Sequence, residues 1–360
     1  MIRQHLSYTS ITILLCFSFL YGGSIRIIAV GDIMLGSDYP VSMLPPNGGS
    51  GLCVDIIDTL QSADLTLGNL EGVFLSGGVC AKKPTTGMVY AFRTPPSFAQ
   101  HLADAGFDFL NLANNHMNDF GINGVESTMK TLESHGIAFG GPGGKVGEFL
   151  IRGMKIAIVC YATSPGTDLV FDVSTAQAKV TALAQHNDIV IVSFHAGGEG
   201  LKFLHTRDTF EYFLDQPRGN VVEFARAVID SGADFVWGHG PHVPRALEIY
   251  KDRLIAYSLG NFCTWGFNVA DERGYAPILK VVLDSTGAFT HGNVISVFQE
   301  QGKPLVMDSL HRAARLIRRL SEEDFPESAP LIMEDGTILR AGIDNTVTTD
   351  SIQESDNKSQ

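Results

Sequence analysis

The chain has 360 residues, 44% of them hydrophobic, which is enough apolar surface for a large buried core. A formal net charge of -13 excludes a protein that tracks nucleic-acid phosphates, because that affinity comes from clustered Lys and Arg. Past Cys16 only Cys53, Cys80, Cys160 and Cys263 follow, with no C-x-x-C pair, which excludes a disulfide scaffold and a zinc ribbon.

The first element is Arg3 followed by an apolar stretch from Ile11 to Tyr21 and the small residues Gly22, Gly23 and Ser24. This is the shape of an export signal, too short for an ordinary membrane span. Residues 1–24 are read as a signal peptide or, since cleavage there leaves almost no linker before the first strand, as an uncleaved anchor. Either reading puts the body in the periplasm or at the cell surface. Apolar, β-branched runs then recur at "IRIIAVG" (25–31), "ADLTLGN" (63–69), "FDFLNLA" (107–113), "MKIAIVC" (154–160), "NDIVIVSFH" (187–195), "ADFVWGHG" (233–240) and "RLIAYSLGNF" (253–262). Near-continuous hydrophobicity predicts central strands covered on both faces.

Helical patterns lie between the strands, clearest from Ile122 to Gly136 and from Gly219 to Gly232, each ending at a glycine before the next strand. The order is that of an α/β protein. The glycine- and proline-rich segments Tyr39 to Gly51 and Leu75 to Tyr90 are long enough to line a substrate site. Cys53 and Cys80 are either a bridge across that region or, with Cys160 and Cys263, free thiols. From Pro277 the alternating runs "ILKVVLDSTGAF" and "GNVISVFQEQGKPLVMD" predict a second sheet, closed by the basic helix "HRAARLIRRLSEED". That helix presents either a solvated face or a surface for acidic lipid or an anionic chain. One domain is expected over 25–325, and the polar residues 345–360 are expected to be disordered.

Polar residues gather at the C-terminal ends of five of these strands: Asp32, then Asn69 and Glu71, then Asn114, Asn115 and His116, then His195, then His239 and His242. In open α/β sheets ligands bind at that edge. Asp32, Glu71 and the amide of Asn115 offer oxygen donors, and His195, His239 and His242 offer imidazoles that zinc, manganese or iron accept. Glu71 is placed to bridge two ions, which together would supply a nucleophile from water at neutral pH. His116 is then a general acid or a donor to the transition state, oriented by Asp119 or Asp32. Asn114 is assigned to the turn, behind the ligands. Asn261 either closes its loop or reaches the site.

With these residues in place, the chain resembles the bacterial capsule-synthesis proteins associated with poly-gamma-glutamate, distant members of the calcineurin-like metallophosphoesterase superfamily. The resemblance runs over about residues 26–270 and rests on "GDIMLG", "ADLTLGNLEG", "FRTPP", "AGFDFLNLANNHMNDFG", "SFHAGGEG", "GADFVWGHGPHVPRALEIY" and "IAYSLGNF", in that order. It implies a four-layer α/β/β/α sandwich with one or two divalent ions (Mn, Fe or Zn) held by Asp32, Glu71, Asn115, His195, His239 and His242. His116 and Asp119 are then catalytic. Met34 stands where many phosphoesterases have a histidine, and the closing histidines are spaced H-x-x-H in place of H-x-H. Arg93, in "FRTPP", is the candidate for gripping a substrate carboxylate or phosphate, its alternative being a surface ion pair. Asn69 joins it in substrate binding, and Glu199 is expected to support a histidine ligand.

The function expected is a metal-dependent hydrolase of the cell envelope, acting on an amide or phosphoester of an anionic polymer or peptide-like substrate. Its alternative is a non-enzymatic, polymer-binding component of a capsule synthesis or export assembly. The partners implied are that polymer and membrane proteins of capsule biosynthesis, with no nucleic acid.

Overall fold

The computed structural model describes residues 23–82 and 90–340; the expected leader up to residue 22, residues 83–89 of the second loop and the tail at 345–360 lie outside them. In chain order the main elements are β1 (Ile25–Met34), α1 (Ile57–Leu60), β2 (Leu65–Leu70), α2 (Ala99–Asp104), β3 (Phe109–Asn111), α3 (Gly121–Ser134), β4 (Ala138–Gly140), β5 (Gly147–Ile151), β6 (Met154–Ala162), α4 (Val173–Ala184), β7 (Ile189–His195), α5 (Val221–Asp230), β8 (Phe235–His239), β9 (Leu247–Tyr250), β10 (Arg253–Ala256), β11 (Asn261–Thr264), β12 (Ile278–Leu283), β13 (Phe289–Ile295), α6 (Arg312–Asp324), β14 (Leu331–Ile332) and β15 (Thr337–Leu339). Among the described residues no helix is long and apolar enough to cross a membrane.

Two sheets pack face to face. The first runs β14-β15-β13-β12-β1-β2-β3-β4, with β11 also paired to β1; the second runs β9-β10-β8-β7-β6-β5. Strand alternation builds the layers. Ile25, Ile27 and Ala29 of β1 meet Ile156, Ile158, Ile189 and Ile191 of the second sheet, whereas Ile28 and Val30 turn to the outer layer that holds Leu60 and Leu102 of the first helices. Val190, Val192 and Phe194 of β7 likewise face Val222, Phe224 and Val228 of α5. The result is the four-layer α/β/β/α sandwich.

The two helices expected most clearly are α3 and α5. The glycines that end them, Gly136 and Gly232, have φ of 72° and 108°, values that a residue with a Cβ rarely adopts.

Three expectations need correction. Residues from Pro277 do not make a sheet of their own, because β12 pairs antiparallel with β1 and extends the first sheet. That sheet also runs past the expected boundary at 325, since β15 pairs with β13 through His291↔Leu339. The run 253–262 is not one strand: β10 lies in the second sheet beside β8, and β11 lies in the first beside β1. The crossing passes Gly260, at φ 65°, whose carbonyl accepts from the Asp32 amide at 2.8 Å. A Cβ on Gly31 would lie 1.9 Å from the same carbonyl oxygen, so glycine is required there.

Trp237 of β8 is fully buried, and its Nε1–H donates to the Val30 carbonyl of β1 at 2.9 Å, a polar tie between the sheets. Trp237→Phe keeps most of the ring but leaves that carbonyl without its donor. The expected cost is about 1–3 kcal/mol, read as a lower urea midpoint at unchanged m-value; an unchanged midpoint would show that the tie contributes nothing.

Candidate metal centre

The parallel registers put the polar strand ends in rows. Asp32 pairs with Asn69 across β1 and β2, and Asn69 with Asn111 across β2 and β3. On the facing sheet His195 is in register with His239. The two rows meet edge to edge at the C-terminal ends of parallel strands, and Asp32, Asn69, Asn111, His195 and His239 are all fully buried.

Asp32 is shared by two triads, Asp32/His195/His239 and Asp32/Glu71/His242, whose ligand atoms lie close enough to hold an ion. In the first, Asp32 Oδ1 is 3.6 Å from His195 Nδ1 and 3.7 Å from His239 Nδ1, and the two nitrogens are 3.0 Å apart. In the second, His242 turns Nδ1 to Asp32 Oδ2 at 3.1 Å and Nε2 to Glu71 Oε1 at 3.7 Å, so one of its two nitrogens would face an ion shared with these carboxylates. Two ligands on one tetrahedral ion, with bonds near 2.1 Å, are separated by about 3.4 Å.

Glu71 Oε1 tests the fit most directly. It is buried with no hydrogen-bond partner, yet the Nε2 atoms of His116, His195 and His242 all lie 3.7 Å away. His195 Nε2 and Asn115 Oδ1 are also buried without partners. Three unsatisfied ligand atoms of the right chemistry are costly in a protein interior unless something coordinates them.

Electrostatics points the same way. Burial, aided by the negative charges of Asp32 and Glu199, pushes the Glu71 carboxyl up to about 8. Burial holds His195 and His239 well below the ordinary imidazole value. His242 goes the other way: burial opposes its charge, but Glu71 and Asp32 raise it to about 10. Asp32 is also opposed by burial, and His242 and His195 bring it below the usual carboxylate value. The neutral imidazoles of His195 and His239 and the uncompensated carboxyl of Glu71 suit a divalent cation, which would take over from the His242 proton the role of counter-charge and let Glu71 ionise at neutral pH. The residues present fit such an ion.

His116 stands beside this set. Its Nδ1 is 2.8 Å from Asp119 Oδ2, its ring stacks on Phe92 at a centroid distance of 4.0 Å, and burial lowers its pKa against the pull of Asp119. Asp119, not Asp32, is therefore its orienting partner; the same Oδ2 accepts from the Phe92 amide at 2.7 Å.

A family model described as bacterial capsule synthesis protein PGA_cap matches residues 26–264, the part of the chain that carries every one of these groups. The chain belongs to that family. The PGA biosynthesis protein CapA of Bacillus subtilis is 26% identical over 252 residues, covering 65% of this chain and 61% of its own length. The capsule biosynthesis protein CapA of Bacillus anthracis is 26% identical over 246 residues, covering 65% and 58%. The chain spans about three fifths of the length of these curated relatives. Among solved structures, the calcineurin-like phosphoesterase YfkN of Bacillus subtilis aligns at 11% identity and a TM-score of 0.38, covering 93% of this chain and 97% of that one. The NAD nucleotidase of Haemophilus influenzae aligns at 13% and 0.43, covering 82% and 62%. Both are likenesses of outline alone.

Within this member of the PGA_cap family some residues take duties that were expected of them and others do not. Arg93 is committed to an ion pair, its Nε 2.6 Å from Asp38 Oδ1 and its Nη1 donating to the Gly78 carbonyl, while its guanidinium lies over Tyr39 and Phe120. Asn69, expected to bind substrate, donates to Asp32 Oδ1 at 2.8 Å and so contacts a candidate ligand. Glu199 pairs with Arg218 at 2.5 Å and makes no bond to a histidine. Met34 is buried with its sulfur 3.1 Å from the Gly36 amide. Asn114 is a turn residue: its Oδ1 accepts from the His116 amide, and its Nδ2 donates to the Leu70 carbonyl and to Asn69 Oδ1. Asn261 does reach the site, with Oδ1 3.1 Å from His242 Nδ1.

His239 is the ligand candidate with the least freedom. Its Nε2 lies 2.9 Å from both Asn111 Nδ2 and Ser193 Oγ, which leaves Nδ1 as the atom facing His195 and Asp32. Asn111, Ser193, Phe92 and Lys82 are functional neighbours that sequence reasoning missed. An asparagine and a serine inside buried apolar strands were a signal, because a buried polar side chain needs a partner. Lys82 carried none. Its Nζ lies 2.6 Å from Asp119 Oδ1 and 3.1 Å from His116 Nδ1 because the chain at Ala81, whose amide donates to the Asp119 carbonyl, is held against that turn.

Proposed function

We propose that this chain is a metal-dependent hydrolase of the cell envelope, acting on an amide or phosphoester of an anionic polymer or peptide-like substrate connected with capsule synthesis. The observation that supports it best is Glu71 Oε1, a buried carboxylate oxygen with no partner and three imidazole nitrogens at 3.7 Å. Asp32, Glu71, His195 and His242, with His239 and Asn115, are the residues that would hold one or two ions of manganese, iron or zinc. Such an ion, when bound, brings water toward its ionised form at neutral pH and draws charge from the group under attack.

The chain's own residues do the rest. Asp119 Oδ2 accepts a hydrogen bond from His116 Nδ1–H, so proton exchange falls to Nε2, the nitrogen that faces Glu71. Phe92 covers one face of the ring, excludes water and fixes its plane. Asn69 and the Gly240 amide, each donating to Asp32, hold that carboxylate in a single orientation. Lys82 Nζ, 2.6 Å from Asp119 Oδ1, holds the carboxylate oxygen that His116 does not contact.

Protein purified without chelator is expected to carry one or two equivalents of manganese, iron or zinc by mass spectrometry. An Asp32→Ala, His195→Ala double variant should lose them. The metal-loaded protein is then offered a gamma-glutamyl peptide and a phosphodiester, and metal-dependent cleavage of one selects the reaction. Protein that stays free of metal after reconstitution sinks the reading. Metal retained without turnover, together with polymer binding that survives chelation, would make the chain a binding component of a capsule assembly.

A further inference from the structure

Cys53 and Cys263 are 210 positions apart in the chain, yet their sulfurs lie 4.0 Å from one another. Both are buried in the outer core of the first sheet, with Leu52, Ile56 and Phe262. Cys160 sits in the other core layer, between the sheets, and Cys80 lies at a separate small cluster with Val73 and Phe120. The bridge weighed from sequence, Cys53 with Cys80, is therefore not the pair the fold brings together.

The backbone gives a second reason to single out this pair. Cys263 has φ of 55°, the left-handed region where a Cβ is unfavourable and glycine is the usual occupant. It lies inside the β1–β11 register shift, between Asp32↔Asn261 and Met34↔Thr264. A non-glycine residue held there puts its side chain against Cys53. We propose that Cys53 and Cys263 form a disulfide that ties the segment 51–56 to β11, two residues from Asn261, whose amide contacts His242.

An S–S bond is about 2.05 Å long, so the sulfurs must close by roughly half of their present separation. The oxidant is a small or protein disulfide acting by exchange. One cysteine thiolate attacks the donor disulfide and expels a donor thiolate; the second then attacks the mixed disulfide and expels the other. Two protein sulfurs are oxidised, the donor is reduced to two thiols, and the two cysteine protons pass to the departing thiolates. In the folded protein Cys53 and burial together hold the Cys263 thiol in its neutral form, which is a poor nucleophile. The bond therefore forms while the chain folds and closes slowly once it has folded reduced.

The test is to refold the full chain in a mixture of reduced and oxidised glutathione, alkylate free thiols, digest without reduction and map the peptides by mass. The expected product joins the peptide containing Cys53 to the one containing Cys263, two hydrogens lighter than their sum, with Cys80 and Cys160 alkylated. The cross-linked protein should melt several degrees above the reduced one, since the closed loop is long. In Cys53→Ser, Cys263 should become alkylated with no new linkage; should that variant fail to fold, the wild-type map decides alone. Alkylation of both Cys53 and Cys263 after refolding, or linkage of either to Cys80, overturns the proposal. The outcome needs neither metal nor substrate and is independent of the hydrolase reading.

Discussion

His116→Ala is expected to lower turnover of whichever substrate the metal-loaded protein cleaves by about 10²- to 10⁴-fold, the range for loss of a positioned proton-transfer group. The loss should fall on kcat, with metal content by mass spectrometry unchanged. The two readouts separate because His116 is held by groups other than the candidate ligands: Asp119 at Nδ1, Phe92 across the ring face, and the Asn114 side chain at its backbone amide. Asp32, His195 and His242 keep their mutual contacts when the imidazole is removed. Unchanged turnover would remove His116 from the reaction. Loss of the metal along with activity would make it a support of the centre and leave the proton transfer to another group.

Arg245→Met is expected to be the most destabilising single change near the site. Arg245 is fully buried, with Nη1 and Nη2 each 3.0 Å from Glu211 and Nη2 also donating to the Gly198 carbonyl. Glu211 in turn accepts from the Gly198 amide at 2.5 Å. The pair thus clamps the loop that follows His195. Removing one partner of a buried pair leaves a charge without compensation, at a cost of about 3–5 kcal/mol. In a domain of this size that is a fall in Tm on the order of 10 °C by circular dichroism. An Arg245→Met, Glu211→Leu double variant should recover much of the loss, because no buried charge remains. If the single variant melts with the wild type, or the double variant is no better than the single, the clamp contributes little to stability.

The layered α/β architecture was legible because burial on both faces of a strand demands unbroken runs of β-branched residues, and β1, β6 and β7 have them. The helices α3 and α5 were legible from their glycine stops. The final sheet assignment was not, because nothing local in "ILKVVL" says which edge it will join; that is decided by β1 presenting a free side to an antiparallel partner. The break at Gly260 was hidden for a related reason. The close approach of the Gly31 backbone, which forces it, comes from a residue more than two hundred positions earlier.

The candidate site divides in the same way. Asp32, Glu71, Asn115, His116, His195, His239 and His242 could be read from sequence because each lies within three residues of the end of an apolar run, and strand ends point to one edge. Arg93 and Glu199 could also be recognised as charged residues in motifs, but their duties depend on Asp38 and Arg218, which only folding brings near. The cysteines behave likewise, since Cys53 meets Cys263 and not Cys80.

By itself, then, the order of residues determined which side chains end the strands, and with them the chemistry available, because that information is local and periodic. The tertiary structure alone decided which atoms of those side chains face one another, which stay unsatisfied, and which charged neighbours are taken up in pairs. Those properties depend on distances between segments far apart in the chain, and hydrophobic patterning, which is blind to partner and direction, does not encode them.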